Sequence, residues 1–439
     1  MKILYATMQF GRGYGQGTER YVSVLTRGLR ERGHETAVLA GDPEGRGPDL
    51  PLGAPVEDET SVYHYPSRGW MGVEGLGPEQ LQPILHREKP DLVHIVNPAH
   101  IGVALLPAAR RMNIPAIITI MDYWWLCPKH TLRHPLKGTC DAKGTWRECV
   151  WCTCAGHPST LVRGLSSAPL LRGTVLPAML VVRSLARGLP LVEVLRWRRR
   201  REYLIEMLNR AHAIIFPSRA ARQALSGRLG HGRVCSIPYG LEPRWFSGGR
   251  PSCAADGPIS PGELTIGYAG ALAEHKGVHL LLEAVRSLGW TATRVRLAGR
   301  GEDRDYIRRL HRLAEGLSVD FVGPVPSSQM PDFLGGLDVL VVPSVWPENL
   351  PIVVLEARAV GVPVLASRVD GITEMIDDDA YLFDVDSASS LSERLSAWAA
   401  APRSPATANV STAAEMVDRT FEVYQQYALP WSGKAVSVK

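Results

Sequence analysis

The chain has 439 residues, of which 45% are apolar and 21% are charged, and its formal net charge is +5. This composition is typical of a globular protein and excludes a disordered or fibrous chain. At about 150 residues per domain, the length favours two or three domains, and we take two as the starting prediction.

The hydrophobic runs argue against a membrane-spanning or secreted protein. No stretch reaches about 18 uninterrupted apolar residues, the length that a transmembrane helix needs. The first residues, MKILYAT, enter a strand-like pattern directly and are not followed by a signal-peptide cleavage site. We therefore expect a cytoplasmic protein.

Short apolar runs alternate with amphipathic stretches in two separate series. The first series begins with MKILYAT at residues 1–7 and TERYVSVLTRGLRERG at residues 18–33. The second begins with LTIGYAG at residues 264–270 and VHLLLEAVRSL at residues 278–288. Strand and helix patterns that alternate in this way favour parallel βαβ units. The sequence predicts an α/β fold with two Rossmann-like halves.

The domain boundary is predicted from a change in composition. Residues 247–262, SGGRPSCAADGPISPG, are rich in Gly, Pro and Ser and suit a linker. We place an N-terminal domain at residues 1–246 and a C-terminal domain at residues 263–414. The last helix-like segment, residues 415–439, could join either domain, and we predict that it packs back on the N-terminal one.

Five of the seven cysteines form a cluster within residues 127–154, with the spacing C-x12-C-x8-C-x2-C-x-C. In a reducing compartment such a cluster indicates a metal site before a disulfide framework. We predict a structural zinc ion that pins this long insertion. The predicted ligands are Cys127, Cys140, Cys149 and Cys152. Free thiols, a disulfide and an iron–sulfur cluster are the alternatives.

A basic helical segment is predicted at residues 160–203. Between residues 163 and 203 there are nine arginines and two glutamates, and the segment ends in RWRRRREYL. The mixture of Arg with Leu, Val and Trp fits an interfacial helix pair on an anionic membrane surface, which would place the protein peripherally on the inner face. A helical hairpin with a solvated basic face fits equally well. Nucleic-acid binding has no recognition motif to support it.

Two glutamates flank the apolar run LPIVVL in the second domain. Glu348 lies in the loop after the strand-like DVLVV, and Glu356 lies in a helix that we predict to carry Pro351 in its first turn. Free N–H groups and the helix dipole at this start favour phosphate oxygens, and carboxylates suit sugar hydroxyls. The pair therefore predicts a site for an elongated ligand with phosphate and hydroxyl groups. By themselves, the two glutamates also fit solvated surface positions.

Several motifs, taken together, resemble the retaining family 4 glycosyltransferases of the GT-B fold. The most specific is the E-x7-E pair with the GVPVLASRVDGITEMI that follows it. The others are YAGALAEHKG, LAGRGEDRDY, VDFVGPVP, the N-terminal GQGTERYVSVLTRGLRERGHE and IPYGLEP. The resemblance spans nearly the whole chain. It implies two Rossmann-like domains that face each other across a cleft, with the acceptor on the N-terminal domain and a nucleotide sugar on the C-terminal one.

The resemblance also implies roles for individual residues. Glu348 would hold the donor sugar and steady positive charge near the anomeric carbon, Glu356 would bind the ribose, and Lys276 would neutralise the diphosphate, alone or with Arg300. Backbone groups of both domains would approach the phosphates and the base. The positions implied for these backbone contacts are Gly15, Gly17, Gly270, Val322, Asn349 and Leu350.

At two positions the chain departs from the family pattern. Ala271 follows the turn glycine where an arginine is common, and Met121 precedes Asp122 where a histidine is usual. A thioether cannot exchange protons. Either the reaction does not need the histidine, or Asp122 or His130 acts in its place, or activity is reduced. We count Asp122 with Lys276 and Glu348 as candidate catalytic residues.

The resemblance predicts a retaining hexosyltransferase that moves a sugar from a UDP-, GDP- or ADP-sugar to a hydroxyl acceptor, either a glycan, a lipid-linked or a small molecule. In a front-face mechanism a phosphate oxygen takes the acceptor proton, so positioning and charge stabilisation suffice and no catalytic metal is required. A catalytically weakened nucleotide-sugar-binding partner protein is one alternative. A nucleotide-sugar epimerase or hydrolase on the same fold is another.

Overall fold

Two compact units make up the chain. One consists of Met1–Ile237 and Val417–Lys439, and the other of Pro238–Met416. The computed structural model describes residues 1–11, 17–42, 60–66, 77–99, 101, 103–134, 138–155, 198–230, 234–246, 259–260, 262, 264–402 and 410–427. Most of the predicted linker and most of the predicted basic segment lie outside the described residues.

The first unit contains a parallel sheet with strand order β3-β2-β1-β4-β5-β8-β9. Its strands are β1 (Lys2–Thr7), β2 (Glu35–Asp42), β3 (Ser61–Pro66), β4 (Leu92–Ile95), β5 (Ala116–Thr119), β8 (Ala213–Phe216) and β9 (Val234–Ser236). An antiparallel pair, β6 (Arg133–His134) and β7 (Gly138–Thr139), lies outside this sheet. The helices are α1 (Gly17–Glu31), α2 (Pro78–Glu88), α3 (Leu105–Arg111), α4 (Trp146–Ala155), α5 (Arg200–Asn209) and α6 (Arg219–Leu225).

The second unit contains a parallel sheet with strand order β12-β11-β10-β13-β14-β15. Its strands are β10 (Thr265–Ala269), β11 (Arg294–Ala298), β12 (Ser318–Gly323), β13 (Val339–Val342), β14 (Val364–Ser367) and β15 (Leu382–Phe383). Its helices are α7 (Val278–Ser287), α8 (Arg304–Ala314), α9 (Met330–Gly335), α10 (Ile352–Ala359) and α11 (Ala388–Ala400), and α12 (Ala413–Tyr427) starts in this unit. Short 3₁₀ turns occur at Pro243–Trp245, Glu274–Lys276 and Asp379–Tyr381. The prediction of two parallel α/β halves is confirmed.

The central strands of both sheets are short apolar runs because both faces of each sheet are covered. Every residue of β4, β5, β8, β13 and β14 is buried. Burial on both faces is typical of parallel sheets, in which crossover helices pack on each side.

Several helices begin at side chains that satisfy their first free N–H groups. The Ser218 hydroxyl accepts a hydrogen bond from Ala221 N at 3.1 Å in front of α6. The Asp303 carboxylate accepts from two backbone N–H groups in front of α8, and Ser387 caps α11 in the same way as Ser218. Such caps stabilise a helix by about 1 kcal/mol each, so local sequence fixes where these helices start.

The order of strands changes direction next to the first strand of each sheet. β1 lies between β2 and β4, and β10 lies between β11 and β13. In open α/β sheets, ligands bind outside the carboxyl ends of the strands at such a switch point. In the second unit this places the loops after β10 and β13 at the expected ligand position.

The basic segment predicted at residues 160–203 enters the described part of the chain only at residue 198. There, Arg200 is 4% exposed, its Nη2 donates to Trp124 O at 2.7 Å, and its guanidinium carbon lies 4.7 Å from the centroid of the Trp124 ring. This arginine of the basic run is therefore packed inside the first unit. Among the described helices, none combines the length and the apolar character of a membrane span.

A buried network of hydroxyl and imidazole groups ties α12 to the first sheet. The Tyr424 hydroxyl lies 3.1 Å from the Tyr5 hydroxyl and 2.6 Å from His94 Nδ1. His94 Nε2 lies 2.8 Å from Thr119 Oγ1. Burial lowers the pKa of His94 to about 3, so the ring is neutral and takes part as a hydrogen-bonding group.

Replacing Tyr424 with phenylalanine is expected to lower the free energy of unfolding by about 1–3 kcal/mol. The ring still packs, but the hydroxyl of Tyr5 and the Nδ1 of His94 lose their shared partner in a buried site. Urea unfolding of the full chain measures the change. Gln425→Ala, an exposed change on the same helix, is the control, and equal stability of Tyr424→Phe and wild type would contradict the assignment.

Lys2, the first residue of β1, and Glu88, the last residue of α2, form a partly buried ion pair. Lys2 Nζ lies 2.8 Å from Glu88 Oε2, and the Tyr63 hydroxyl donates to Glu88 Oε1. Burial by itself would raise the pKa of Glu88, but the hydrogen bonds from Lys2 and Tyr63 and the charge of Lys2 outweigh it and hold the pKa below its ordinary value of 4.5.

This ion pair predicts a contribution to the acid sensitivity of the fold. Folding lowers the pKa of Glu88, so the ionised carboxylate stabilises the folded chain fully when the pH is above its ordinary pKa of 4.5. This stabilisation is lost as the pH falls through the lower pKa that Glu88 has in the folded chain. In Glu88→Gln the free energy of unfolding should fall less steeply with decreasing pH. Unfolding titrations between neutral and acidic pH measure the slope. Glu79→Gln, an exposed change on the same helix, should keep the wild-type slope.

Candidate active site

Two loops of the second unit meet at the carboxyl ends of β10 and β13. The turn after β10 contains the 3₁₀ turn Glu274–Lys276, and Val345 N in the loop after β13 donates to His275 O at 3.0 Å. Gly277, with φ of +69°, makes this approach feasible, because a Cβ there would lie 1.9 Å from Pro343 O. Only glycine fits both the left-handed backbone and the close contact.

Glu348 is the centre of this region and is 4% exposed. One of its oxygens, Oε1, accepts hydrogen bonds from three side chains. They come from Lys276 Nζ at 2.8 Å, Ser344 Oγ at 2.6 Å and Trp346 Nε1 at 2.8 Å. A buried carboxylate is stable only when it is paired and hydrogen-bonded, and these three donors meet that requirement.

The surroundings of Glu348 keep it ionised. Burial by itself would raise the pKa of the carboxyl group, but the positive charge of Lys276 and the hydrogen bonds from Lys276, Ser344 and Trp346 outweigh burial and lower the pKa below its ordinary value. At neutral pH the site therefore contains a carboxylate and an ammonium group in contact. Such a pair holds Lys276 in a defined position.

Trp346 adds a contact that the sequence did not predict. Lys276 Nζ lies 4.7 Å from the centroid of its ring, and the His275 ring packs edge-on against it at 5.0 Å between centroids. A cation over an indole face is attracted by the ring quadrupole. Trp346 thus contacts both members of the ion pair. The sequence feature that could have identified Trp346 is its position directly before Pro347 and Glu348, in a loop after a buried strand.

Glu356, the second predicted glutamate, lies on α10 and is 2% exposed. The alternative that Glu348 and Glu356 are solvated surface residues is therefore wrong. Pro351 is not in the first helical turn as predicted but occupies the position directly before it, the N-cap, and the helix begins at Ile352. In the loop between Glu348 and α10, Asn349 is buried and Leu350 is half-buried.

The backbone of the loops after β10, β11 and β12 also converges at this edge. Leu272 N donates to Arg300 O at 2.8 Å, and Gly299 N donates to Gly323 O at 2.8 Å. A Cβ at Gly299 would lie 1.8 Å from Gly270 O, so these turns pack directly on one another. The predicted backbone positions Gly270 and Val322 thus belong to neighbouring turns and strands, whereas the side chain of Arg300 is exposed.

Asp122 lies in the first unit, after the carboxyl end of β5. It accepts hydrogen bonds from Trp124 N at 2.8 Å and Asn97 Nδ2 at 3.0 Å, and His130 Nδ1 lies 2.8 Å away. Burial would raise the pKa of Asp122, but the interaction with His130 and the other hydrogen bonds outweigh it and lower the pKa. The structure therefore pairs Asp122 with His130, the residue suggested as a replacement for the histidine absent at Met121.

Of the two glycines predicted near the amino terminus, only Gly17 can be placed. It is the first residue of α1 in the first unit, whereas Gly15 lies outside the described residues. The contact of this loop with donor phosphates stays a prediction.

The predicted zinc site is not supported. Within the described residues, no group of three or more His, Cys, Asp or Glu side chains is arranged to hold a metal ion. The four predicted ligands are nevertheless close to one another, because they line one cavity of 350 Å³ in the first unit. They are Cys127, Cys140, Cys149 and Cys152.

Two family models match the chain. Residues 15–144 match the model described as Glycosyltransferase Family 4, and residues 253–415 match the model described as Glycosyl transferases group 1. Together the two matches cover two thirds of the chain. The second contains the complete Lys276, Glu348 and Glu356 region.

Curated relatives share part of the sequence. The D-inositol 3-phosphate glycosyltransferase of Stackebrandtia nassauensis is 32% identical over 161 residues, which are 33% of this chain and 36% of that protein. The matched stretches span less than two fifths of the length of this and other curated relatives.

Solved structures share the fold along nearly the whole chain. Anabaena HepE in complex with UDP and glucose has a TM-score of 0.59 at 16% identity, and the match covers 98% of this chain and 96% of that one. Sucrose-phosphate synthase from Thermosynechococcus elongatus has a TM-score of 0.58 at 16% identity, with 98% and 97% covered. The predicted GT-B fold class is confirmed. By these two family matches and this fold, the chain belongs to the glycosyltransferases of the GT-B fold.

Proposed function

We propose that this protein is a retaining hexosyltransferase that moves a sugar from a nucleotide-diphosphate sugar to a hydroxyl acceptor. The observation that carries the proposal is the buried contact between Lys276 and Glu348 at the switch point of the second sheet, next to the helix that bears Glu356. A cation for a diphosphate and two buried acidic groups for hydroxyls are the chemistry that such a donor requires.

Each group has a role in the proposed reaction. As the bond between the anomeric carbon and the phosphate oxygen breaks, negative charge grows on the diphosphate, where Lys276 opposes it and the N–H groups at the start of α10 offer hydrogen bonds. Glu348 faces the sugar and stabilises the positive charge that develops at the anomeric carbon. Glu356 holds the ribose hydroxyls.

The acceptor belongs to the N-terminal domain in this proposal. Its hydroxyl attacks from the side on which the diphosphate leaves, the new C–O bond forms there, and a phosphate oxygen takes the proton. This course requires neither a metal ion nor a protein base, so Met121 in place of a histidine is compatible with activity. Asp122, paired with His130, is the candidate to orient the acceptor.

UDP-sugars are the first donors to test because HepE, which shares the fold, binds UDP and glucose. A thermal-shift panel of UDP-, GDP- and ADP-sugars should show stabilisation by one nucleotide class, since a ligand at about 100 times its Kd contributes roughly 2.7 kcal/mol. Calorimetry with Glu356→Ala should then show weaker nucleotide binding. Unchanged affinity in Glu356→Ala would refute the assignment of this residue.

Turnover tests the reaction itself. NMR of the product should show the anomeric configuration of the donor, as expected for retention. Tight nucleotide-sugar binding without transfer to any glycan, lipid-linked or small hydroxyl acceptor would overturn the enzyme proposal in favour of a binding protein. Release of free sugar or a changed sugar without an acceptor would indicate hydrolysis or epimerisation instead.

A further inference from the structure

Four cysteine side chains of the first unit line a single cavity of 350 Å³. They come from three separate segments of the chain. Cys127 follows the turn after β5, Cys140 follows β7, and Cys149 and Cys152 lie three residues apart on α4, where they share one face. Thiols are weak hydrogen-bonding groups, so their convergence from three segments on one cavity favours a ligand that binds sulfur.

Two adjacent arginines place positive charge beside these thiols. Arg201 lines the same cavity, and its Nη2 donates to Cys149 Sγ at 3.2 Å. Arg200 is 4% exposed, and within the described residues its Nε and Nη1 have no hydrogen-bond partner. Burial of a cation is costly unless negative charge lies near it. The Asp122 carboxylate supplies part of this charge to Arg200, and an anionic occupant of the cavity would supply more to both guanidinium groups.

The segment that bears the thiols has little hydrophobic core of its own. Val150, Trp151 and Cys152 form a small buried cluster, and Trp146 and Ala155 pack against it. Segments with cores of this size are commonly stabilised by metals, because the free energy of metal binding adds to that of folding. A ligand that binds all four cysteines would join α4 to the turn after β5 and to the β6–β7 pair.

We propose that this cavity binds an iron–sulfur cluster of the [4Fe–4S] type through its four cysteines. In such a cluster each iron takes one cysteine thiolate, so four thiolates surround a core that is larger than one ion. The cavity of 350 Å³ that the four cysteines line has room for such a core, which is larger than the single ion of a zinc site.

The negative charge of a thiolate-bound cluster suits the positive charge of the arginines beside the cavity. Binding requires the four thiols to release their protons, and a cluster with four thiolates is negatively charged. Arg201 already donates to one of the sulfurs, and hydrogen bonds to the sulfurs of such a cluster help to set its reduction potential. The cluster has a structural role in this proposal: it fixes the chain that runs from Asp122 to α4. This proposal of a cluster is independent of the proposed transfer reaction.

The test uses the full chain, purified without oxygen from iron-supplied cells. We expect about four iron and four acid-labile sulfide per chain, with the broad visible absorption of thiolate-bound iron. Chains that lose the cluster during purification should regain it on treatment with ferrous iron and sulfide under argon. Chelation of the iron should lower the melting temperature and bleach the absorption together.

Matched variants locate the ligands. Cys149→Ser and Cys152→Ser should lose most of the iron, whereas Cys235→Ser, a change on β9 away from the cavity, should keep the wild-type content. One zinc per chain, or neither iron nor sulfide after reconstitution, would overturn the proposal. If a serine variant fails to fold, chelation of the wild-type chain still decides the matter, because an unchanged melting temperature contradicts the structural role.

Discussion

Replacing Glu348 with alanine is expected to weaken binding of the nucleotide sugar by about 10- to 100-fold, the loss expected when a hydrogen bond to a charged group is removed. The change removes the oxygen that accepts from Lys276, Ser344 and Trp346. Lys276 then loses the carboxylate that holds it, and the two other donors lose their partner. Calorimetry with the donor identified in the thermal-shift panel measures the loss.

Two further variants separate charge from position. Glu348→Gln keeps an oxygen that can accept hydrogen bonds but removes the negative charge, so we expect a smaller loss of affinity than in Glu348→Ala. Glu393→Ala, an exposed change on α11, should leave affinity unchanged. If Glu348→Ala binds the donor as tightly as wild type, Glu348 does not organise the donor site.

Replacing Gly371 with alanine is expected to lower the free energy of unfolding by about 3–5 kcal/mol, among the largest effects of a single substitution. Gly371 has φ of +82°, and a Cβ at this position would lie 2.1 Å from Glu348 O and 2.4 Å from Asn349 O. Both contacts are with backbone atoms, which cannot move aside as a flexible side chain can. The loop that carries Glu348 must therefore shift, so the affinity for the nucleotide sugar should fall as well.

Gly289→Ala separates the two causes of this effect. Gly289 also has a positive φ, +65°, but a Cβ there would meet nothing within 4 Å. We expect it to cost about 1 kcal/mol, from backbone strain alone, and to leave donor affinity unchanged. Urea unfolding and calorimetry of both variants provide the comparison. Equal losses of stability in Gly371→Ala and Gly289→Ala would show that the contact with the Glu348 loop contributes nothing to the free energy of unfolding.

The motifs of the second unit identified residues that the structure brings together, because Lys276 and Glu348 are in contact. Lys276, Glu348 and Glu356 lie in motifs that resemble one family, and their roles in donor binding stay predictions. The parallel topology then places the loops after β10 and β13 side by side. Sequence alone did not predict that Trp346 and Ser344 contact Glu348, because that depends on side-chain directions within the loop.

The cysteine region shows a different limit of prediction. Spacing correctly grouped four cysteines, and the structure brings them to one cavity. Spacing could not distinguish a tight tetrahedron from a wider arrangement, because the distances between sulfurs depend on how three segments pack. The tertiary structure does not support the single zinc site, and it reveals the buried arginine beside the thiols.

The sequence by itself determined the alternation of strands and helices and the two α/β halves, because hydrophobic periodicity, helix caps and glycine turns act within a few residues. Only the tertiary structure decided that both glutamates are buried, that one oxygen of Glu348 accepts three hydrogen bonds and that Tyr424 closes a network with Tyr5 and His94. Such contacts join residues that are far apart in the chain, and their geometry depends on the packing of complete sheets and helices.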